Sequence, residues 1–239
     1  MTLLQPFLPS PRLVAWLLPA AVAYAAMAAM LAAYLRTRAG VRTPYTRKIF
    51  HFTIFTAAGL LQISQGLPAV VVFGSVTSAM VLYAVWRGDG FPFYEAMARP
   101  SDAPRRTLFI LIPLATTALG GVVANLAFPA WAFVGYLVCG WGDAVGEPVG
   151  TRWGRHRYRV PSMLGVPATR SIEGSLAVFF AGTAATAAAL ALMGYAPGQI
   201  ALISGGAGLA GAMVEAVSTH GIDNFTVQVA AAAAAAWLG

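Results

Sequence analysis

Charge, lysine and cysteine are all scarce in this chain. Only 10% of its 239 residues are charged, against about 25% in an ordinary soluble domain, so this is not a surface made to face water on every side. The single cysteine, Cys139, excludes an intrachain disulfide and a cysteine-rich metal centre. The patterns HExxH, GxSxG and GxxxxGK[ST] are missing, which excludes a zinc protease of that type, a hydrolase built on a nucleophile elbow and a P-loop kinase. Nor is there room for a separate soluble domain, because the longest polar stretches, about 87–106 and 151–171, read as loops.

What the chain has instead is apolar length. Hydrophobic residues make up 59% of it, in recurring runs of roughly 20 residues, the signature of a polytopic all-helical membrane protein. Eight spans are expected: 13–35, 48–65, 67–86, 107–127, 129–149, 172–193, 197–217 and 221–238. The last carries seven consecutive alanines, Ala230 to Ala236; alanine favours helix but is only marginally apolar, so seven spans plus a surface helix is the alternative. The first apolar run is long enough to span and has only Arg12 before it, so no cleavable signal is expected.

The net charge of +7 comes from 14 arginines and Lys48 against eight acids. In a membrane protein such charge sets topology and meets anionic lipid, so no nucleic-acid partner is expected. The basic residues alternate by connector. Arg36, Arg38, Arg42 and Arg47 lie in the first, Arg87, Arg99, Arg105 and Arg106 in the third, and Arg152, Arg155, Arg157, Arg159 and Arg170 in the fifth; the second, fourth and sixth have none. The positive-inside rule then puts the odd-numbered connectors in the cytoplasm and both termini outside.

That topology gathers the polar groups. Lys48 and His51 open the second span, Asp143 and Glu147 close the fifth, Glu173 opens the sixth, Glu215 closes the seventh, and Asp223 and Asn224 open the eighth, all on the cytoplasmic side. A carboxylate near hydrocarbon costs several kcal/mol, about 2.5 or more, unless it has a partner or a task. Asp143 and Glu147 are four apart and share a helix face, where two carboxylates repel unless a cation such as magnesium lies between them. The glycines at 142, 146, 150 and 154 form a stripe suited to close helix packing, which also permits a homodimer. The run from Arg152 to Ser162 reads either as a topogenic basic loop or as a phosphate clamp. Ser171 can cap the sixth span with Glu173 at its positive end, or the same helix start can bind phosphate. Asp223 and Asn224 can likewise be a cap, whereas Glu215 sits at a helix C-terminus, where negative charge is unfavourable. His220, in a short turn, stays ambiguous.

Taken in order, Arg47-Lys48-Ile49-Phe50-His51, Gly142-Asp143-Ala144 with Gly150 and Gly154-Arg155-His156, Arg170-Ser171-Ile172-Glu173-Gly174-Ser175, and Glu215-Ala216 with Asp223-Asn224 resemble the polyprenol kinase family. That family includes dolichol, phytol and CTP-dependent diacylglycerol kinases. The resemblance covers about 45–230 of a chain that reads as one lipid-kinase domain, 1–239. It implies transfer of the γ-phosphate of CTP to a lipid alcohol, such as phytol, geranylgeraniol or another prenol, with a divalent cation, Mg²⁺. Within that reading Asp143 and Asp223 are expected to be the leading cation ligands, with Asn224 and Glu147 as helpers. Arg155, Arg157, Arg159 and Arg170 would hold the triphosphate together with His156, Ser162 and Ser171, and with Lys48 and His51 from the second span. Glu173 or Glu215 would orient or deprotonate the lipid hydroxyl.

Phosphatidate cytidylyltransferases are similar in the middle block, but their C-terminal signature is absent, and CMP transfer to a lipid phosphate is the alternative. An ion-coupled transporter, with the acids as a relay, is the third. Relative to the kinase family this chain has Arg170 where many members have lysine, Gln228 where proline is common, and Glu147 as an additional acid. The alanine- and arginine-rich composition points to a GC-rich prokaryotic genome and a plasma-membrane location.

Overall fold

The computed structural model describes residues 5–163, 166–219 and 221–239. Nine α-helices and one β-hairpin are formed by those residues: α1 (Pro11–Thr37), α2 (Thr43–Gln65), α3 (Leu67–Arg87), a short α4 (Pro92–Met97), α5 (Leu108–Ala127), α6 (Ala132–Trp153), the strands β1 (Arg157–Met163) and β2 (Val166–Ser171), then α7 (Ile172–Leu192), α8 (Pro197–Val217) and α9 (Asp223–Leu238). The eight long helices coincide with the eight apolar segments to within five residues at each end. Five of them, α1, α3, α5, α7 and α8, are long and apolar enough to cross a membrane. Of the other three, α2 and α6 carry Arg47, Lys48, His51, Asp143, Glu147 and Arg152, and α9 has only 16 residues.

The chain forms two compact units, divided between Ile110 and Leu111. In the first, α1, α2 and α3 pack together around Leu17, Ala69 and Val72. Gly66, with φ 77°, makes the tight turn between α2 and α3 that an L side chain would strain. The connector after α3 is ordered by α4, which is tied to the start of α2: Thr43 Oγ1 donates to the Glu95 carbonyl (3.1 Å) and Thr46 Oγ1 to that of Ala96 (2.7 Å). Arg106 closes this cap, with Nη1 on Asp89 at 2.6 Å and Nη2 on Glu95 at 2.6 Å and on the Ala98 carbonyl at 2.9 Å. Burial works against the Glu95 carboxylate, but its bonds from Arg106 and the Gly90 N–H and the charges of Arg106 and Arg36 outweigh that and hold it below its usual 4.5.

The second unit is built on α6, α7, α8 and α9, each packed against the next, with α9 returning against α6. Small residues make the approach possible. A Cβ on Gly142 would lie 2.8 Å from Val178 Cγ1, one on Gly146 would overlap Val178 Cγ2, and one on Gly150 would lie 2.9 Å from Ser171 Oγ. The glycine stripe is thus the α6–α7 packing seam, and its close-packing reading holds. Against α9, a Cβ on Gly135 would lie 2.5 Å from the Gln228 carbonyl oxygen. The alanine run belongs to this core: Ala231, Ala232 and Ala235 are fully buried. At a rise of 1.5 Å per residue α9 is about 24 Å long.

Two expectations are corrected. The stretch after 151, read as a loop, contains an antiparallel hairpin, with Arg157 opposite Ser171, Tyr158 opposite Arg170 and Arg159 opposite Thr169. In addition, α6 runs four residues past the expected end at 149, stopping at Gly154, where a Cβ would press on Ser171. Asp143 and Glu147 therefore lie about two to three turns inside the helix rather than at its mouth.

Candidate functional site

Helix pairing in the second unit fixes which residues share a level. Gly135 meets Gln228, and Cys139 Sγ lies 3.9 Å from the Asn224 carbonyl and side-chain oxygens, so α6 and α9 run antiparallel. One turn beyond Cys139 on the same α6 face, Asp143 reaches the level of Gly221–Asp223. On α8, Gly211 packs against Val138 and Val227, which brings Glu215, one turn further, to that level as well. The expected convergence of Asp143, Glu215 and Asp223 in depth is therefore present within this unit.

At the centre stands Arg170, on β2. Its Nη1 donates to Glu215 Oε1 and its Nη2 to Asp223 Oδ2, the latter at 2.7 Å. Side-chain exposure is 13% for Arg170 and 6% for each acid. Burial alone would lower the guanidinium pKa, but the charges of Glu215, Asp223 and Asp143 outweigh it and raise it above its ordinary value. A singly charged arginine between two carboxylates makes an acidic, poorly exposed centre, with Asp143 inside its electrostatic reach. The unfavourable acid at the α8 C-terminus finds its compensation here.

Asp223 is bonded at both carboxylate oxygens. Its Oδ1 accepts the backbone N–H groups of Gly221 and Asn224, each at 3.0 Å, while Oδ2 takes Arg170. The Asn224 amide donates to Thr117 Oγ1 at 2.8 Å and to the Pro113 carbonyl at 3.4 Å, and Thr116 Oγ1 donates to the Gly221 carbonyl, so α5 pins the turn before α9. Gln228, fully buried one turn further on, donates to the Thr117 carbonyl at 3.3 Å. Thr116 and Thr117 were not singled out from sequence, since threonine in an apolar helix carries no distinguishing pattern.

The hairpin sorts the arginines by strand alternation. Tyr158 and Arg170, cross-strand partners, share the inner face, where the Tyr158 hydroxyl meets Ser175 Oγ at 3.2 Å. Arg157 and Arg159 lie on the other face and are exposed. Arg157 caps α6, donating to the Gly154 carbonyl at 3.1 Å and that of Thr151 at 3.3 Å. Arg155, Arg159 and Ser162 are exposed; Ser171 is buried, and its Oγ accepts the Gly174 N–H at 3.1 Å as the α7 cap. Just before the hairpin, His156 meets Glu173 through its ring Nδ1 at 2.7 Å, and its backbone N–H lies 3.2 and 3.3 Å from the two carboxylate oxygens.

Asp143 and Glu147 are half-buried. In the first unit, Lys48 is buried, with 3% exposure, and the His51 ring stacks on Phe55 at 4.2 Å. His220 lies outside the described residues. Among the described residues no three His, Cys, Asp or Glu side chains form a preassembled metal cluster.

A phytol kinase from Synechocystis sp. is 32% identical to this chain over 197 residues, an alignment that covers 81% of this chain and 78% of that protein. No family profile matches the chain. No solved structure matches it.

Proposed function

The chain belongs to the phytol and polyprenol kinase family, and from that premise we propose that it transfers the γ-phosphate of CTP to the hydroxyl of a membrane prenol such as phytol or geranylgeraniol. The observation that carries the reading is the acidic centre around Arg170, with Asp143 at the same level, the exposed Arg155 just before the adjoining hairpin and the exposed Arg159 on that hairpin's outer face. Phosphoryl transfer needs chiefly positioning and charge neutralisation, and this arrangement supplies cations for phosphate oxygens beside carboxylates for a divalent ion.

The carboxylates fit Mg²⁺. That ion takes one or two carboxylates together with substrate phosphates and needs no preassembled cage. Asp143 and Glu147, one turn apart on one face of α6, are the pair that would hold it, with Asp223, bonded to Arg170, at the same level as Asp143. When bound, Mg²⁺ would neutralise the phosphate charge that develops during transfer. Arg170 then acts as a positioning residue, fixing Glu215 and Asp223 and so the α8–α9 turn, while Arg155 and Arg159 contact the triphosphate.

In the membrane, the eight long helices act as eight spans. The arginine-rich connectors, the hairpin among them, face the cytoplasm, where CTP enters, and both termini lie outside. The prenol chain lies in lipid with its hydroxyl at the cytoplasmic interface of a prokaryotic plasma membrane.

Purified protein in detergent, supplied with Mg²⁺ and a mixture of prenols, diacylglycerol and phosphatidate, tests this directly. The lipid is expected to gain label from γ-labelled but not α-labelled CTP, and the labelled species identifies the acceptor. Label from the α position alone would make the protein a cytidylyltransferase; none from either, with folded protein, would redirect attention to ion flux.

A further inference from the structure

Building on the kinase reading, we propose that His156 is the base that takes the proton of the lipid hydroxyl, and that Glu173 is the residue that aims it. The sequence offers Glu173 or Glu215 for that task. Glu215 is buried and bonded to Arg170. Glu173 faces His156: the ring Nδ1 lies 2.7 Å from Oε1, and the histidine's own backbone N–H lies 3.2 and 3.3 Å from the two carboxylate oxygens. An ionised carboxylate only accepts, so Nδ1 carries the ring proton, and in the neutral imidazole Nε2 presents a lone pair. No protein group among the described residues takes Nε2, and the side chain is 74% exposed.

Both partners are fixed by local structure. Glu173 sits in the first turn of α7, where the Ser171 cap and the positive helix end favour its charge. His156 is held at three points, because its carbonyl also accepts the Ile172 N–H at 3.1 Å. A carboxylate that orients an imidazole through Nδ1 while Nε2 works on a hydroxyl is the division of labour of a nucleophile-activating triad. The location suits an amphiphile: the dyad stands where α7 begins, and Ile172, Leu176 and Phe180 follow at four-residue spacing as exposed apolar side chains down that helix. A prenol lying along such a surface carries its hydroxyl to the interface, beside Arg155 and Arg159.

In the step, the lipid oxygen forms a bond to the γ-phosphorus and the bond from that phosphorus to the β,γ-bridging oxygen breaks, its electron pair leaving on CDP. The hydroxyl proton passes to Nε2 of His156 and from there to water as the product departs.

His156→Asn tests this, because the asparagine amide can replace the Nδ1 donor to Glu173 but offers no base. The expected result is a fall in kcat of roughly 10²–10⁴-fold, with the KM for CTP and the melting temperature unchanged. In His156→Ala, added imidazole is expected to restore part of kcat. Wild-type kcat in His156→Asn would overturn the proposal and leave the contact as a hairpin clasp. Loss of activity in step with loss of folded protein in both variants would overturn it likewise. Wild-type protein that transfers no γ-phosphate to any prenol would overturn the kinase reading itself, an outcome that the variants cannot mimic.

Discussion

Arg170 and Asp223, 53 positions apart, meet through a 2.7 Å bond from Nη2 to Oδ2, and Oδ1 of the same carboxylate gathers the N–H groups of Gly221 and Asn224. One side chain from the hairpin therefore fixes the turn from which α9 starts. With Glu215 on the other arm of the guanidinium, β2, α8 and α9 depend on a single cation.

Arg170→Ala removes the cation that two buried carboxylates share and is expected to cost about 3–5 kcal/mol, read as a large fall in the detergent melting temperature. Arg170→Lys keeps the charge but not the fork and should fall between. Combining Arg170→Met with Glu215→Gln and Asp223→Asn removes the unpaired charge and should be less damaging than Arg170→Ala alone. If Arg170→Ala melts like the wild type, the triad does not hold these elements together.

Asp143→Asn is expected to leave the melting temperature within a few degrees of wild type while lowering kcat by roughly 10²–10³-fold and weakening the Mg²⁺ dependence. Glu147→Gln should act in the same direction, less strongly. Full activity in folded Asp143→Asn would remove that residue from the cation site.

Gly146→Ala and Gly135→Ala probe two seams of different kinds. The obstacle at Gly146 includes the end of the Val178 side chain, so Gly146→Ala should cost about 1–3 kcal/mol and be partly relieved by Val178→Ala. The obstacle at Gly135 is the Gln228 backbone, and no single side-chain truncation should relieve it. Equal relief of both variants by Val178→Ala would contradict this packing.

The α4 cap should loosen in acid. Because Glu95 is held below its usual 4.5 in the folded state, its contribution is full above that value and is lost as pH falls through the lowered folded value. Protection of the α4 amides, relative to the intrinsic exchange rate at each pH, is expected to fall in that range in wild type, and to be low and less pH-dependent in Glu95→Gln. An unchanged exchange profile in the variant would dissociate Glu95 from the cap.

Helices were legible because apolar runs of spanning length leave few alternatives, and the shared level of Asp143, Glu215 and Asp223 followed from the alternation of basic connectors, which put those span ends on one side. What escaped was partner choice. Nothing in Arg170 as a letter separates a phosphate contact from a buried pair with acids 45 and 53 positions away. The hairpin did leave a signal, since Arg157-Tyr158-Arg159-Val160 alternates charged and apolar residues, the period of a strand; dense positive charge suggested a loop instead. The core position of α9 was obscured because alanine is weakly apolar, although its small size is what lets Gly135 and the Gln228 backbone approach so closely.

Strand parity makes the hairpin a frame-sensitive device. Between Arg157 and Val160 the pairing is regular, and neighbouring positions look in opposite directions. Deleting or inserting one residue in β2 between Ala168 and Arg170 would aim Thr169 or Ser171 at the acids and turn the arginine out to solvent, although composition would barely change. Two-residue changes would preserve the aim. Beyond Val160, where the register already shifts, single-residue length variation can be absorbed, so in related sequences indels should be confined to that outer half.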